Sequence, residues 1–402
     1  MKKIIFSLVI VLVSSSYLFS QGNPQWTDMD LPNPVLTGVP ALSITPDARG
    51  GGMGDVGAAT RPDENSQYWN PAKYAFMESE AGFSVSYTPW LRKLVNDINL
   101  GYVAGYWRFS ERNTISASLR YFSLGDLQLT DANGLFLNTI KPYEMAIDAA
   151  WSLLLSEKFS GAVALRYIRS DLNQGVNATS GNDMHAGNAF AADIAFFYNT
   201  PITFGSEDGR LRAGLNISNI GSKISYQEGV NYFIPTNLRL GASLDYPMDE
   251  YNKISISADV NKLLVPSVPR PYTIKNEDGT TTIVNPSENG SLDNYYNTSS
   301  IAGIFKSFSD EPAGFKGELR EIMWSAGVEY AYNNQFFVRA GYFNENKLKG
   351  NRKFFTAGLG FKLNVFALDA GYVISVAQQN PLDQTLRISL SFDLNGIKNL
   401  SN

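Results

Sequence analysis

The strongest constraint on this chain's fold is a double alternation. Between Ala81 and Asn395, fourteen short stretches alternate apolar with polar residues, and the connections between them run long, short, long, short. A period of two sends successive side chains to opposite faces of a strand. Long loops at one end and tight turns at the other mark a membrane β-barrel, with the turns on the periplasmic side. The stretches fall at 81–88, 97–109, 113–124, 142–154, 158–169, 188–198, 210–220, 237–246, 252–262, 322–332, 335–344, 353–364, 365–376 and 384–395. In the fourth, Tyr143, Met145, Ile147, Ala149, Trp151 and Leu153 oppose Glu144, Ala146, Asp148, Ala150 and Ser152. A soluble sandwich would alternate too, but many of these stretches run ten to thirteen residues. Globular strands average roughly five or six, whereas a tilted membrane strand needs roughly nine to eleven. The apolar faces also carry Tyr143, Trp151, Tyr167, Tyr198, Tyr246, Tyr332 and Phe392 near strand ends, where an interfacial aromatic girdle lies. The fold class expected is therefore all-β, a fourteen-stranded antiparallel transmembrane barrel spanning 81–395.

Residues 1–20 read as a signal peptide, with Lys2 and Lys3, an apolar core from Ile4 to Val13, and small residues up to Ser20. The absence of cysteine argues against a lipid-anchored start, disulfides and thiolate chemistry. Mean hydropathy of −0.16 is compatible with membrane embedding, because a barrel shows only half its strand residues to lipid. A net charge of −5 with no basic run gives no nucleic-acid footprint. Residues 396–402 read as a tail.

About eight strands already enclose a lumen that side chains fill, so fourteen leave space. Residues 21–80, polar and rich in Gly and Pro, are expected to plug it. Charges on the inner faces would meet the plug: Glu144, Asp148, Arg166, Asp193, Arg212 and Arg239, then Asp259, Glu329, Arg339, Lys362, Asp369 and Arg387. The odd-numbered connections, facing outward, are 89–96, 125–141, 170–187, 221–236, 263–321, 345–352 and 377–383; among the even ones only Asn199–Gly209 exceeds a turn.

Gly52, Gly54 and Gly57 match a dinucleotide-binding glycine pattern, but no strand precedes them and no βαβ unit follows. Glycines there let backbone pass close to a wall. His185, the only histidine, sits in a Gly/Asn-rich loop, a poor place for a catalytic base. With no Cys and one His a zinc site is not expected, and Asp126, Asp131, Asp171 and Asp183 lack calcium-loop spacing. No catalytic, metal or cofactor site is assigned. The loop 263–321 holds a hairpin at Tyr272–Val284 turned at Asp278-Gly279. It also holds Ile301, Ile304, Phe305 and Phe308 at the spacing of an amphipathic helix, followed by Phe315. These residues either fold back over the barrel mouth or await a partner. Trp90 and Leu91, beside Arg92 and Lys93, have the same character and suit a protein or lipopolysaccharide.

Several motifs together resemble one family. Ile44-Thr45-Pro46-Asp47-Ala48-Arg49 with the glycine run, Tyr68-Trp69-Asn70-Pro71-Ala72-Lys73-Tyr74-Ala75 and Tyr87-Thr88-Pro89-Trp90-Leu91 look like the PorV (LptO) family. So do Phe305-Lys306-Ser307-Phe308-Ser309-Asp310, Arg339-Ala340-Gly341-Tyr342-Phe343 and Lys349-Gly350-Asn351-Arg352-Lys353. Members are outer-membrane components of the type IX secretion system of Bacteroidota. The resemblance implies a barrel like the fatty-acid transporter FadL, with an N-terminal hatch holding Asp47, Arg49, Gly52, Gly54, Trp69, Asn70 and Pro71. It implies a non-enzymatic role: docking beside the SprA (Sov) translocon, capturing cargo C-terminal sorting domains, and delivering them to the PorU attachment complex. The candidate partner-binding residues are Trp90, Leu91, Ile301, Ile304, Phe305, Phe308 and Phe315, placed by topology; membrane lipid and lipopolysaccharide are the further partners. The alternative reading is a FadL-like importer of hydrophobic small molecules, and the related barrel PorQ is a third.

Overall fold

The computed structural model describes residues 32–92, 95–131, 133–173, 184–275, 280–311, 314–376 and 382–394. The signal segment 1–20, the turn Asp278-Gly279 and the 396–402 tail lie outside them. Fourteen antiparallel strands close into a barrel in sequence order. They are β1 (Ala81–Pro89), β2 (Ile98–Arg108), β3 (Asn113–Leu124), β4 (Tyr143–Ser156), β5 (Phe159–Asp171), β6 (Gly187–Phe204) and β7 (Glu207–Gly221). The second half comprises β8 (Asn237–Pro247), β9 (Asn252–Leu263), β10 (Met323–Tyr332), β11 (Phe336–Asn344), β12 (Lys353–Lys362), β13 (Phe366–Ser375) and β14 (Leu386–Asp393). Every strand pairs with its sequence neighbours, and β14 returns to β1.

The alternation sorts residues between lipid and lumen. Along β10, Trp324, Ala326, Val328, Tyr330 and Tyr332 face out, while Met323, Ser325, Gly327, Glu329 and Ala331 are buried inside. A single-residue slip would exchange these sets, so the register is fixed. Turns at 109–112, 157–158, 205–206, 248–251, 333–335 and 363–365 cluster at one end. The seven longer connections gather at the other, which is the outer face by the usual asymmetry of such barrels.

Three expectations need correction. Asn199–Gly209 is not a long loop: β6 and β7 continue as a hairpin to Phe204–Glu207 around Gly205-Ser206. Pro201 is accommodated within β6 because β5 pairs with β6 only as far as Tyr198. Beyond that point β6 has a neighbour on one side only, where a missing N–H is tolerated. Lys362 faces inward as expected, but at the open periplasmic mouth, where it is exposed rather than packed on the plug. Small hairpins at Leu127–Thr130 with Phe136–Ile140, and at Ile224–Gln227 with Val230–Tyr232, went unseen because their strands are only three to five residues long. The hairpin of Tyr272–Lys275 with Thr281–Val284 is present.

Residues 40–76 occupy the lumen as four short turns: Pro40–Ser43, α1 (Ala48–Gly51), α2 (Ser66–Trp69) and Pro71–Phe76. Trp69, Lys73 and Tyr74 are among the largest fully buried side chains of the molecule. Deleting residues 24–78 should therefore convert a closed barrel into a channel. Single-channel recording in planar bilayers checks this, and unchanged conductance would show that the segment does not seal the lumen.

Candidate functional site

Two regions carry the candidate residues: the plug and the outer loops. In the plug, Asp47 accepts from the backbone N of Gly50 at 2.8 Å and from Trp69 Nε1 at 2.6 Å. It thus caps α1 and fixes the indole at once. The glycine run then wraps that ring: a Cβ on Gly57 would stand 2.0 Å from Trp69 Cδ2. On the far side the plug backbone lies against the wall. Gly54, at φ +76, meets the backbone of Tyr342, and a Cβ on Gly341 would fall 2.1 Å from the carbonyl carbon of Met53. The glycines serve close packing. Asn70 accepts from Ala72 N at 3.0 Å and donates to the carbonyls of Ala58 and Phe196 at 3.1 and 3.0 Å, with Pro71 opening the next turn.

The inner-face charges hold this segment. Arg49 donates to Glu329 at 3.2 and 3.3 Å and to Asp63 at 2.6 Å. Glu329 also accepts from Arg339 at 2.6 Å, and Arg339 reaches Asp369 at 2.5 Å. Asp259 accepts from the N–H groups of Gly57 and Ala58 at 2.8 and 2.9 Å. Glu144 accepts from Ala41 N at 2.9 Å, Asp148 from Gln67 at 2.8 Å, and Asp55 from Arg387 at 3.0 Å. Plug ties thus reach β4, β9, β10 and β14. Asp63 was absent from the sequence reading, and Lys73 entered it only within a family motif, with no role. No local pattern marks them, because Lys73 finds its acceptors, Gly57 O and Thr60 Oγ1, only in the fold.

At the outer face, α3 (Ser291–Asn297), α4 (Ser300–Lys306) and α5 (Phe315–Arg320) belong to the long loop. Ser299 caps α4, and Gly303 is its docking point. A Cβ there would be 2.7 Å from Phe233 and 3.2 Å from Pro266. The helix therefore approaches the barrel mouth by its smallest residue and turns its apolar stripe away. Phe305 is 73% exposed and Phe315 74%, with Ile301 and Phe308 also exposed and Ile304 half-buried. The helix stops before Ser307, so Phe308 lies just past it. Trp90 and Leu91 are elsewhere. Trp90 packs against Ala41, Leu100 and Phe122, facing the plug.

An ion network ties this loop to the rim. Lys262 donates to Glu318 at 3.0 Å and also to Glu321; Lys349 donates to Glu321 at 2.9 Å and also to Glu311. Ser267 Oγ lies 3.0 and 2.9 Å from carboxylate oxygens of Glu311 and Glu321, which share its single hydroxyl proton. Burial pushes the Asp310 and Glu321 carboxyls up to about 6 and the Lys349 ammonium down to about 8. A raised carboxyl pKa favours the docked loop most below the ordinary values of 3.8 and 4.5, and that contribution fades as pH rises through about 6. Lys349 is mostly protonated on both sides of that transition. Amide exchange in Phe315–Glu321, corrected for its chemical pH dependence, should be slower at roughly pH 5 than pH 7.5; equal protection contradicts this. In the plug, Glu329→Ala leaves Arg49 and Arg339 buried without their shared anion, at a cost of about 3–5 kcal/mol. Heat-modifiable gel migration should then be lost at a lower temperature than in the unaltered protein.

No curated protein matches the chain. Among solved structures it is similar to the toluene transporter TodX of Pseudomonas putida, at 11% identity over 90% of this chain and 99% of that one, TM-score 0.48. It is also similar to the CymD monoaromatic hydrocarbon channel, at 12% identity over 87% and 97%, TM-score 0.45. A FadL homologue of Pseudomonas aeruginosa gives 12% identity over 90% and 99%, TM-score 0.40. The family described as type IX secretion system protein PorV matches residues 28–270, more than half of the chain. The chain belongs to the PorV family of the type IX secretion system.

Proposed function

We propose that this barrel is a docking platform for secreted proteins rather than a conduit. Family membership makes it an outer-membrane component of type IX secretion. The finer reading is that it sits beside the SprA translocon, binds the C-terminal sorting domain of emerging cargo and passes it to the PorU attachment complex. The observation that carries this reading is the exposed apolar surface of Ile301, Phe305, Phe308 and Phe315 on a loop tied down at its base. Large aromatic groups held in water are placed to bind a partner, and an ordered base lowers the entropy cost of binding. The lumen supports the same reading, because plug side chains and charge pairs fill the path a solute would take. We read the chain as non-enzymatic: covalent attachment is left to the partner complex.

The alternative, import of hydrophobic small molecules, is favoured by one observation: an apolar chamber above the plug. Its difficulty is the interlocked plug beneath.

Deleting the gene and fractionating cells tests the platform reading at its coarsest, since cargo with C-terminal sorting domains should fail to reach the surface. Normal surface delivery would sink it. The loop assignment has its own test. Phe305→Asp with Phe308→Asp should leave heat-modifiable migration intact yet abolish co-purification with SprA and cargo. Retained co-purification would remove the loop from the interface while leaving the platform reading standing.

A further inference from the structure

Tyr68 of the plug stands within stacking reach of two wall arginines. The guanidinium carbon of Arg120, on β3, is 4.8 Å from its ring centre, and that of Arg239, on β8, is 5.1 Å away. Arg239 also lies 4.6 Å from the ring of Trp69, and Arg120 5.6 Å from that of Tyr102 on β2. Beside these groups is a cavity of about 80 Å3, lined by Tyr68, Tyr102, Arg120 and Arg239 among others. It extends to Asn237, Leu263 and Met323 at the outer ends of β8, β9 and β10, so it lies on the outer side of the plug.

Stacking satisfies the faces of a guanidinium group and leaves its N–H edges to find acceptors. Arg120 directs Nη1 at the carbonyls of Ala41 and Ile44, at 2.5 and 3.0 Å, and Arg239 directs Nε at Asn261 Oδ1, at 2.8 Å. Among the described residues nothing accepts from Nε or Nη2 of Arg120 or from either Nη of Arg239, and neither arginine is in an ion pair. Tyr102 Oη is buried with no hydrogen-bond partner. The acceptors nearby are already engaged. Asp148 accepts from Gln67, Ser118 and Arg166, and Asp55 accepts from Arg387. Arg166 is itself shared between Asp148 and Asp193, and Arg352 is held by Glu345. Asn237 Oδ1 is the one buried acceptor of this lining left open among the described residues.

An unmet charge in an interior costs far more than an unmet neutral donor. What the cavity lacks is therefore an anion with more than one oxygen. Its volume narrows the choice further. About 80 Å3 exceeds the roughly 10–15 Å3 that one water needs. It falls well short of the roughly 300–1,000 Å3 of sites for larger molecules. The space thus admits a group of a few heavy atoms and no long chain. Guanidinium edges match the paired oxygens of carboxylate, sulfate and phosphate, and the Tyr102 hydroxyl adds a donor on a separate strand.

We propose that this cavity binds one small oxyanion, held by Arg120, Arg239 and the Tyr102 hydroxyl. Arg120 connects the site to the plug, because the same guanidinium holds the carbonyls of Ala41 and Ile44. An anion that fixes Arg120 therefore also fixes the outer end of the plug, and by binding only the folded barrel it stabilises that state by mass action. The exposed apolar residues of the long loop take no part in the lining, so this reading is independent of the docking proposal.

The test uses the full-length protein in an uncharged detergent, dialysed into chloride and then titrated with sodium phosphate, sulfate or acetate at constant ionic strength. The temperature at which heat-modifiable gel migration is lost should rise with at least one of these anions and then level off. Sulfate and phosphate also stabilise proteins by exclusion from their surfaces, but that effect climbs without levelling and ignores single substitutions. Arg239→Gln, which keeps a donor for Asn261 and removes the charge, should abolish the plateau. Tyr102→Phe, which keeps the ring and removes the hydroxyl, should move half-saturation to higher concentration. Both conserve shape, so either suffices if the other fails to fold. A plateau with acetate alone makes the occupant a carboxylate; one with phosphate or sulfate makes it a free tetrahedral ion. No rise, a rise that never levels, or a plateau unaltered in a folded variant overturns the proposal.

Discussion

Everything here depends on the requirement that no backbone N–H or C=O meet hydrocarbon unpaired. A sheet satisfies it only by closing, and the short β14, eight residues long, must find β1 across six pairs for that to happen. Closure at fourteen strands then creates a second problem, an interior wider than its own side chains can fill. The plug answers it, and the charges that line the wall exist because the plug needs partners in a space water does not reach freely. Arg49, Glu329, Arg339, Asp369 and Asp63 form one connected set, each with an opposite charge within hydrogen-bond distance. Such a set adds little net stability compared with a well-packed apolar core. What it supplies is a single seating, since displacing the plug parts Arg49 from Glu329 and cuts the set in two.

The outer face follows a different rule. There the groups that could have packed inward are held in water by a base of ion pairs, while Gly303 keeps α4 close to Phe233. The molecule is closed along its axis and open for contact at its rim. A family role in secretion fits that division, because recognition can sit on a loop while the barrel supplies anchorage.

The barrel was legible because its signal is repeated: period two across fourteen strands and loop lengths that keep parity. The inward charges were legible for the same reason; Lys362 also faces inward, but at an open mouth where facing does not imply burial. The hairpin extension through Asn199–Gly209 was missed; Pro201 is tolerated there because β6 has a free side. Trp90 shows the limit of pattern reading. Its aromatic-basic neighbourhood looked like an exposed contact, yet only the fold reveals that Ala41 and Phe122 stand beside it. Asp63, Lys73, Glu311 and Ser267 belong to networks whose members are far apart in sequence, so no spacing could announce them.

The bare contact between Gly54 and the Tyr342–Gly341 stretch has a bearing on how such chains diverge. Where two backbones touch with no side chain between them, neither surface can gain an atom unless the other recedes. Gly214 repeats the situation against the backbone of Ala58. Plug and wall must therefore change together along these lines, as key and lock cut from one blank. A plug transplanted from a distant relative would be rejected by its host wall even if each half were sound in its own parent.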